Sequence, residues 1–173
     1  MRASQEVISI RNFQSISNIA RDLLSKNYLL RKKAREELVE IGKASLDVLT
    51  ELANSKDETV RWEAMITLIQ IGSEETMGIL MKALEDEVFS IRWLAADGLA
   101  NLGKYAIRPI LQKLMDNPDS AFIRRGAQHV LRELKKKGVF EDNYGLVESL
   151  ANEFNHADIL LQTLKTINSI RIT

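Results

Sequence analysis

The amino-acid sequence predicts an all-α fold, specifically an α-solenoid in which helix pairs stack into a superhelix. The stretch VRWEAMITLIQIG, which begins at Val60, has a close copy in IRWLAADGLANLG, which begins at Ile91. Both copies space their apolar residues as one face of an α-helix does. The chain also contains only 2 Pro and 8 Gly, which leaves room for long helices.

Further copies begin at Leu30 (LRKKAREELVEIG) and at Ile123 (IRRGAQHVLRELK). In every copy an aliphatic residue is followed by Arg, and Ala and Leu then come four and eight positions after the start. These residues are Arg31, Arg61, Arg92 and Arg124, Ala34, Ala64, Ala95 and Ala127, and Leu38, Leu68, Leu99 and Leu131. The spacing predicts one first helix per repeat, with an apolar stripe in which Ala lets a neighbouring helix approach closely.

Each first helix is predicted to end at a glycine, since Gly adopts a left-handed conformation most easily. Three copies end at Gly42, Gly72 and Gly103, while the fourth runs on to Gly138. Second helices are predicted over about 44–53, 75–85 and 105–115, with Pro109 in the first turn of its helix. Their core-facing residues are Leu46 and Leu49, then Met77, Leu80 and Leu84, then Ile107, Ile110 and Leu114.

The two flanks are interpreted as parts of the same array. NIARDLLSKNYLL and DNYGLVESLANEF resemble second helices, and HADILLQTLKTINSIRIT is expected to form a capping helix through Ile159, Leu160, Leu164, Ile167 and Ile170. A repeat period near 31 residues with two helices per repeat is typical of stacked helical repeats. We expect one domain, 1–173, with an N-terminal half-unit 1–29, repeats at 30–59, 60–90, 91–122 and 123–155, and a cap at 156–173, giving about five antiparallel helix pairs.

The pattern DETVRWEAMITLIQIG and its copies resembles the HEAT repeat, in particular the short type of phycobilisome lyases and small prokaryotic scaffold proteins. The resemblance covers about residues 16–138. It implies that second helices line a concave surface, and that the repeated Arg pairs with an Asp of a preceding linker. The candidate partners are Asp57, Asp86 and Asp119, so we interpret these Arg residues as structural rather than ligand-binding.

The composition excludes several classes of enzyme. The 173 residues contain no Cys, and 24 Lys and Arg balance 24 Asp and Glu. The only histidines, His129 and His156, lack metal-ligand spacing and form no His-Glu dipeptide of the kind that deoxyhypusine hydroxylase uses. Neither a membrane span nor a signal peptide is indicated, so we expect a cytoplasmic, non-enzymatic protein without metal or cofactor.

The residues on the second helices that the core does not need are predicted to bind a partner protein or peptide on the concave side. We call this set the second-helix surface: Asp47, Thr50, Glu51, Asn54, Met81, Lys82, Glu85, Arg108, Leu111, Gln112 and Met115. Its mixture of charge with adaptable Met suits a protein ligand. The function predicted is therefore a protein-interaction scaffold.

Three alternatives remain open. Nucleic acid could bind the basic residues Arg108, Lys113, Arg124, Arg125, Lys135, Lys136 and Lys137, although no aromatic residue is interleaved in that sequence for base stacking. The chain could handle a bilin as a lyase subunit or chaperone, or form a homo-oligomer through its C-terminal helix. Trp62 and Trp93 occupy the same repeat position, and we interpret them as buried between repeats rather than as interface residues.

Overall fold

The computed structural model describes residues 14–151 and 156–170. Every element in these residues is helical, so the predicted all-α class of paired helices is confirmed. The predictions that concern residues 1–13, 152–155 and 171–173 lie outside the described residues. No helix in the described part of the chain is long and apolar enough to cross a membrane.

Two compact units divide the chain, an N-terminal unit Met1–Ser73 and a C-terminal unit Glu74–Thr173. The N-terminal unit contains α1 (14–22), α2 (Tyr28–Ile41), α3 (Leu46–Leu52) and α4 (Glu58–Ile71). The C-terminal unit contains α5 (Met77–Ala83), α6 (Phe89–Asn101), α7 (Lys104–Asp116), α8 (Ala121–Lys136), α9 (Leu146–Ser149) and α10 (His156–Ser169). The boundary falls inside the second repeat, and the expectation of a single domain stays a prediction.

The helices of each unit pack in the order that the repeats require. In the N-terminal unit α4 contacts both α2 and α3. In the C-terminal unit α6 contacts α5 and α8, while α7 contacts α8 and α10. First helices of successive repeats therefore lie side by side, as α2 and α4 do and as α6 and α8 do.

Polar side chains begin the first helices. The Asn27 side chain accepts a hydrogen bond from the Leu29 amide at 2.9 Å, and Asp57 accepts one from the Thr59 amide at 2.8 Å. Ser120 accepts from the Ile123 amide at 3.3 Å. Each contact satisfies one of the amides that the start of a helix leaves without a partner, which explains why the first helices begin two residues before the repeated pattern does.

The predicted apolar stripe forms the core. The repeated Leu residues of all four first helices are fully buried, and so are the repeated Ala residues to within a few per cent. Burying a Leu side chain contributes about 1.5–3 kcal/mol, so this stripe is a major source of stability in both units. Leu30 departs from the prediction because it is exposed, whereas Val60, Ile91 and Ile123 are buried.

The turn after each first helix is more varied than the sequence indicated. Gly72 is left-handed, with φ 63° and ψ 24°, whereas Gly42 and Gly103 combine φ near 65° with ψ of −129° and −135°. Both conformations have positive φ, which favours glycine. Short 3₁₀ segments, Gly42–Ser45 and Glu74–Thr76, precede α3 and α5.

Two predictions about the last helices need correction. Pro109 lies in the second turn of α7 rather than the first, because α7 already begins at Lys104. In the capping helix α10, Ile159 is buried but Leu164 is exposed, and the buried face continues through Thr163 and Thr166. The hydroxyl of Thr163 is satisfied by the Ile159 carbonyl at 2.6 Å, so this polar face can be buried without an unpaired donor.

Candidate functional site

The predicted second-helix surface is divided between the two units. Asp47, Thr50, Glu51 and Asn54 lie on or just after α3. Asp47, Glu51 and Asn54 are exposed, whereas Thr50 is half-buried and donates its hydroxyl hydrogen to the Leu46 carbonyl at 2.7 Å. Asp47, Glu51 and Asn54 are therefore accessible to a partner.

In the C-terminal unit the same surface follows α5 and α7. The Lys113 ammonium reaches the Glu85 carboxylate at 2.7 Å, which ties the end of α5 to α7. Lys82, Arg108 and Gln112 are exposed, and Met81 and Met115 are half-buried. The prediction that Leu111 belongs to this surface is wrong, because its side chain is fully buried and cannot contact a partner. The helix α7 packs against both α8 and α10, so less of it is free than the sequence predicted.

The basic run at the end of α8 is largely engaged in contacts within the protein. Lys135 pairs with Asp142 at 3.3 Å, and Lys136 pairs with Glu133 at 2.8 Å. Lys137 donates to the Ala100 carbonyl at 3.3 Å. Because the hydrogen bond from Lys136 stabilises the charged carboxylate, it lowers the pKa of Glu133.

The repeated Arg has a structural role in each repeat. Its Nη1 atom donates to backbone carbonyls in the linker before its own helix, six residues earlier and, in three repeats, also five residues earlier. Arg31 reaches Ser25 and Lys26, Arg61 reaches Ser55 and Lys56, Arg92 reaches Asp86 and Glu87, and Arg124 reaches Pro118. These contacts to carbonyl oxygens support the structural interpretation.

The prediction that the two tryptophans are buried between repeats is wrong. Trp62 and Trp93 are 37% and 45% exposed, so neither is buried between repeats. The Trp93 ring lies beside the His129 ring, with centroids 4.2 Å apart, and beside Phe89 at 6.0 Å. Exposed Trp in an aromatic group is typical of binding surfaces.

A cleft of about 350 Å³ opens next to Trp93, between the first helices α6 and α8. We call it the first-helix cleft; its lining is Leu84, Phe89, Arg92, Trp93, Ala96, Phe122, Arg125, Gly126, Gln128, His129 and Arg132. The volume lies in the range of about 300–1,000 Å³ that is usual for ligand pockets. All of its residues belong to the C-terminal unit.

The floor of the cleft depends on Gly126. A Cβ atom at this position would lie 2.8 Å from the Leu84 Cδ2 atom, which is closer than van der Waals contact allows. Glycine inside a helix lowers stability by about 1 kcal/mol relative to alanine. Gly126 therefore has a packing role, since it allows α8 to approach the buried Leu84 side chain.

The walls of the cleft are aromatic and cationic. The Arg92 guanidinium lies over the Phe122 ring at 4.2 Å. His129 is held by the Asp97 carboxylate, 2.7 Å from its Nε2 atom, and by the Arg132 Nη2 atom, 3.2 Å from its Nδ1 atom. The Arg132 Nε–H is buried without a hydrogen-bond acceptor. The Arg132 Nε atom also lies 3.6 Å from the Glu133 carboxylate. The residues described as lining the cleft include Arg92, Arg125 and Arg132 and no carboxylate.

The equivalent place in the N-terminal unit is filled by a carboxylate. Glu63 of α4, which is buried, accepts from the Arg31 Nε atom at 2.6 Å and also pairs with the Arg35 guanidinium. Both arginines come from α2, so Glu63 joins the two first helices of this unit. Glu63 and Gly126 occupy the same repeat position, three residues after Val60 and Ile123.

The described residues contain no cluster of His, Asp or Glu that could hold a metal ion. His129 is fixed between Asp97 and Arg132. The side chains that line the cleft offer aromatic rings and guanidinium groups for recognition.

Paired helices in a repeating order, with an aromatic and cationic cleft between first helices, define a helical-repeat protein. Residues 16–92 match the family model described as HEAT repeats, so this part of the chain is similar to HEAT repeats. The narrower resemblance to phycobilisome lyases is not confirmed. No curated protein matches the chain.

The first-helix cleft was not predicted from the sequence. The predicted binding residues lie on second helices, and Trp93 was predicted to be buried. Gly126 was a usable signal, because an isolated glycine inside a helical pattern usually has a packing or functional reason. Phe89 and Phe122 lie just before the repeated pattern, so a comparison of the repeats does not indicate that they line the same cleft as Trp93.

Proposed function

We propose that this protein is a non-enzymatic scaffold that binds a partner protein or peptide through the first-helix cleft. HEAT repeats are commonly protein-interaction scaffolds. The observation that carries the proposal is the combination, in one cleft, of exposed Trp93 and Phe122 with half-buried Arg92. Trp and Arg, together with other aromatic residues, are enriched at protein interfaces because they bury large surfaces with few rotamers to fix.

The cleft is favoured over the second-helix surface for a physical reason. Binding energy concentrates in pockets from which water is excluded, whereas exposed polar contacts contribute little. The cleft supplies such a pocket, while Lys82, Arg108 and Gln112 are exposed side chains on helix surfaces. The second-helix surface stays a prediction, as an additional contact region for the same partner.

The nucleic-acid alternative is less well supported. The chain carries no net charge, and Lys113, Lys135 and Lys136 are paired with carboxylates. Phosphate contacts require cations that can exchange their counterions for the nucleic-acid backbone. The structure also offers no feature that would favour bilin chemistry over protein binding.

The test is selection of a displayed library of random peptides on the immobilised full-length protein. We expect enriched peptides to bind wild type and Trp62→Ala, and to bind Trp93→Ala at least about tenfold more weakly, as for loss of a Trp at an interface hot spot. Trp62→Ala is the matched control, because Trp62 has the same repeat position and similar exposure. Gln112→Arg reports on the second-helix surface.

Equal loss of binding in Trp62→Ala and Trp93→Ala would argue against the cleft. Peptides that ignore both tryptophan variants but lose affinity for Gln112→Arg would move the binding site to the second-helix surface. If no peptide is enriched over an unrelated control protein, the scaffold proposal is wrong. Melting temperatures of the variants, measured alongside, separate lost binding from lost folding.

A further inference from the structure

The contact between Arg132 and His129 is compatible with only one protonation state of the imidazole. His129 is buried in the wall of the first-helix cleft, with its Nε2 atom 2.7 Å from the Asp97 carboxylate and its Nδ1 atom 3.2 Å from the Arg132 Nη2 atom. A guanidinium group donates hydrogen bonds and accepts none, so Nδ1 is the acceptor and Nε2 carries the hydrogen. The described geometry is therefore that of neutral His129.

Protonation of His129 would place two donors against each other. Both ring nitrogens of a charged imidazole are donors. The Nε2–H group can keep its bond to Asp97, but an Nδ1–H group would face the Arg132 guanidinium, and burial weakens the solvent screening between the two positive charges. Arg132 is the group that can move, since its side chain is 42% exposed and that of His129 is 9% exposed.

Arg132 has a second location available on the other side of α8. Its side chain also lines a shallow pocket between α8 and α9, together with Val147 and the exposed Glu148. The Glu133 carboxylate lies 3.6 Å from the Arg132 Nε atom. These two carboxylates can receive the guanidinium when it leaves His129, because charge-assisted hydrogen bonds to carboxylates are stronger than a bond to a neutral acceptor.

The other charged groups of the helices around His129 are exposed or already engaged. On α6, Arg92 donates to two backbone carbonyls. On α8, Arg125 has an interaction partner within the protein, and Glu133 pairs with Lys136. The charged residues of α7 are exposed or pair with the end of α5, and they are Lys104, Arg108, Lys113 and Asp116. The contacts of the two ring nitrogens therefore decide which protonation state fits the described structure.

We propose that His129 and Arg132 form a pH-dependent switch in the first-helix cleft. Neutral His129 holds the Arg132 guanidinium in the wall of the cleft. When His129 takes up a proton, Arg132 leaves toward Glu133 and Glu148, and a charged imidazole remains beside the Trp93 ring, whose centroid is 4.2 Å away. Because the wall of the cleft changes, acidification weakens partner binding, and this consequence rests on the proposed function.

The first experiment titrates the full-length protein without a partner. Trp93 fluorescence in a Trp62→Phe background reports on His129, and the side-chain NMR signals of Arg132, assigned by their loss in Arg132→Lys, report on the guanidinium. Histidine ordinarily changes charge between about pH 5 and 8, so we expect both signals to change in that range with one shared midpoint. His156→Gln removes the only other histidine and should leave the change intact.

Two variants test the assignment. His129→Gln should abolish the change in Trp93 fluorescence, since the amide does not titrate. Arg132→Met should move the midpoint of that change to higher pH, because the cation that opposes protonation is gone. Melting temperatures measured alongside show whether each variant is folded, and the Arg132→Met result is independent of whether His129→Gln folds.

The second experiment measures binding of histidine-free peptides selected on the wild-type protein at about pH 7.5. We expect wild type to bind them at least about threefold more weakly at about pH 5.5, because the fraction of protein in the binding-competent state falls. The His129→Gln variant should bind them equally at both pH values.

The outcomes separate the switch from the scaffold. Arg132 signals that do not follow the Trp93 midpoint, or a Trp93 change that persists in His129→Gln, would overturn the switch. If Arg132 follows His129 but the peptides bind wild type equally at both pH values, the regulation of binding is wrong and the scaffold proposal stands. If no peptide is enriched, the scaffold proposal is overturned together with its pH dependence, whereas a shared midpoint in the free protein would still support the exchange of Arg132.

Discussion

The two units differ in what lies between their neighbouring first helices. In the N-terminal unit α2 and α4 are joined by Glu63, which pairs with Arg31 and Arg35. In the C-terminal unit Gly126 stands at the equivalent repeat position, where the buried Leu84 side chain packs against it, and the first-helix cleft opens beside this contact. The comparison shows that this repeat position can hold either an ion pair between first helices or a close apolar packing contact.

The difference also shows how a repeat array can acquire a binding site without changing its core. The buried Leu and Ala stripe is the same in all four repeats. In the proposed function, recognition uses positions at the edge of that stripe, where the first helices meet. Such positions can vary while the Leu and Ala residues of the stripe stay unchanged.

The largest effect is expected for removal of the N-terminal carboxylate. Glu63→Ala leaves Arg31 and Arg35 without their shared acceptor in a largely buried site, and should lower the free energy of unfolding by about 3–5 kcal/mol. Urea denaturation, followed by Trp62 fluorescence in a Trp93→Phe background, measures it. A loss below about 1 kcal/mol would mean that the ion pairs do not join the two helices energetically.

An intermediate effect is expected for the repeated Arg. Arg124→Met keeps the apolar stem but removes the donor to the Pro118 carbonyl. Hydrogen bonds of charged groups contribute about 1.5–3 kcal/mol, so we expect a decrease in unfolding free energy in that range. Calorimetric melting of Arg124→Met beside Lys33→Met, an exposed α2 residue with only a surface ion pair, provides the measurement. Equal melting temperatures for the two variants would contradict the carbonyl contact.

The smallest effect is expected for Asp97→Ala, which removes the carboxylate from His129. The side chain of Asp97 is partly exposed, so solvent screens the pair, and the loss should be about 1 kcal/mol or less. Trp93 fluorescence should change at the same time, because its ring stacks beside His129. If urea denaturation shows that Asp97→Ala lowers the free energy of unfolding as much as Glu63→Ala does, the two units would not differ in the strength of these contacts.

The sequence predicted those features that every repeat shares. The Ala and Leu stripe, the terminal glycines and the structural role of the repeated Arg follow from spacing and from backbone preference. These features are local, or they recur, so the residues themselves carry the information.

The binding residues were harder to predict because they depend on what lies opposite each side chain. Leu111 was assigned to a surface, but α7 is covered by two helices and Leu111 is buried. Trp93 was assigned to the interior, but its ring is exposed and lines the cleft between α6 and α8. Periodicity averages over repeats, so it cannot reveal a position such as that of Glu63 and Gly126, at which the repeats differ.

The contacts of the repeated Arg indicate which segment of the chain forms one complete repeat. Each Arg depends on carbonyl groups that lie before its own helix, as Arg61 depends on Ser55 and Lys56. A recombination point inside that linker would separate donor from acceptors, while one at Gly72 would carry both together. Gene duplication, or a designer who adds further repeats, would therefore preserve stability best by copying each linker as the beginning of the repeat that follows it.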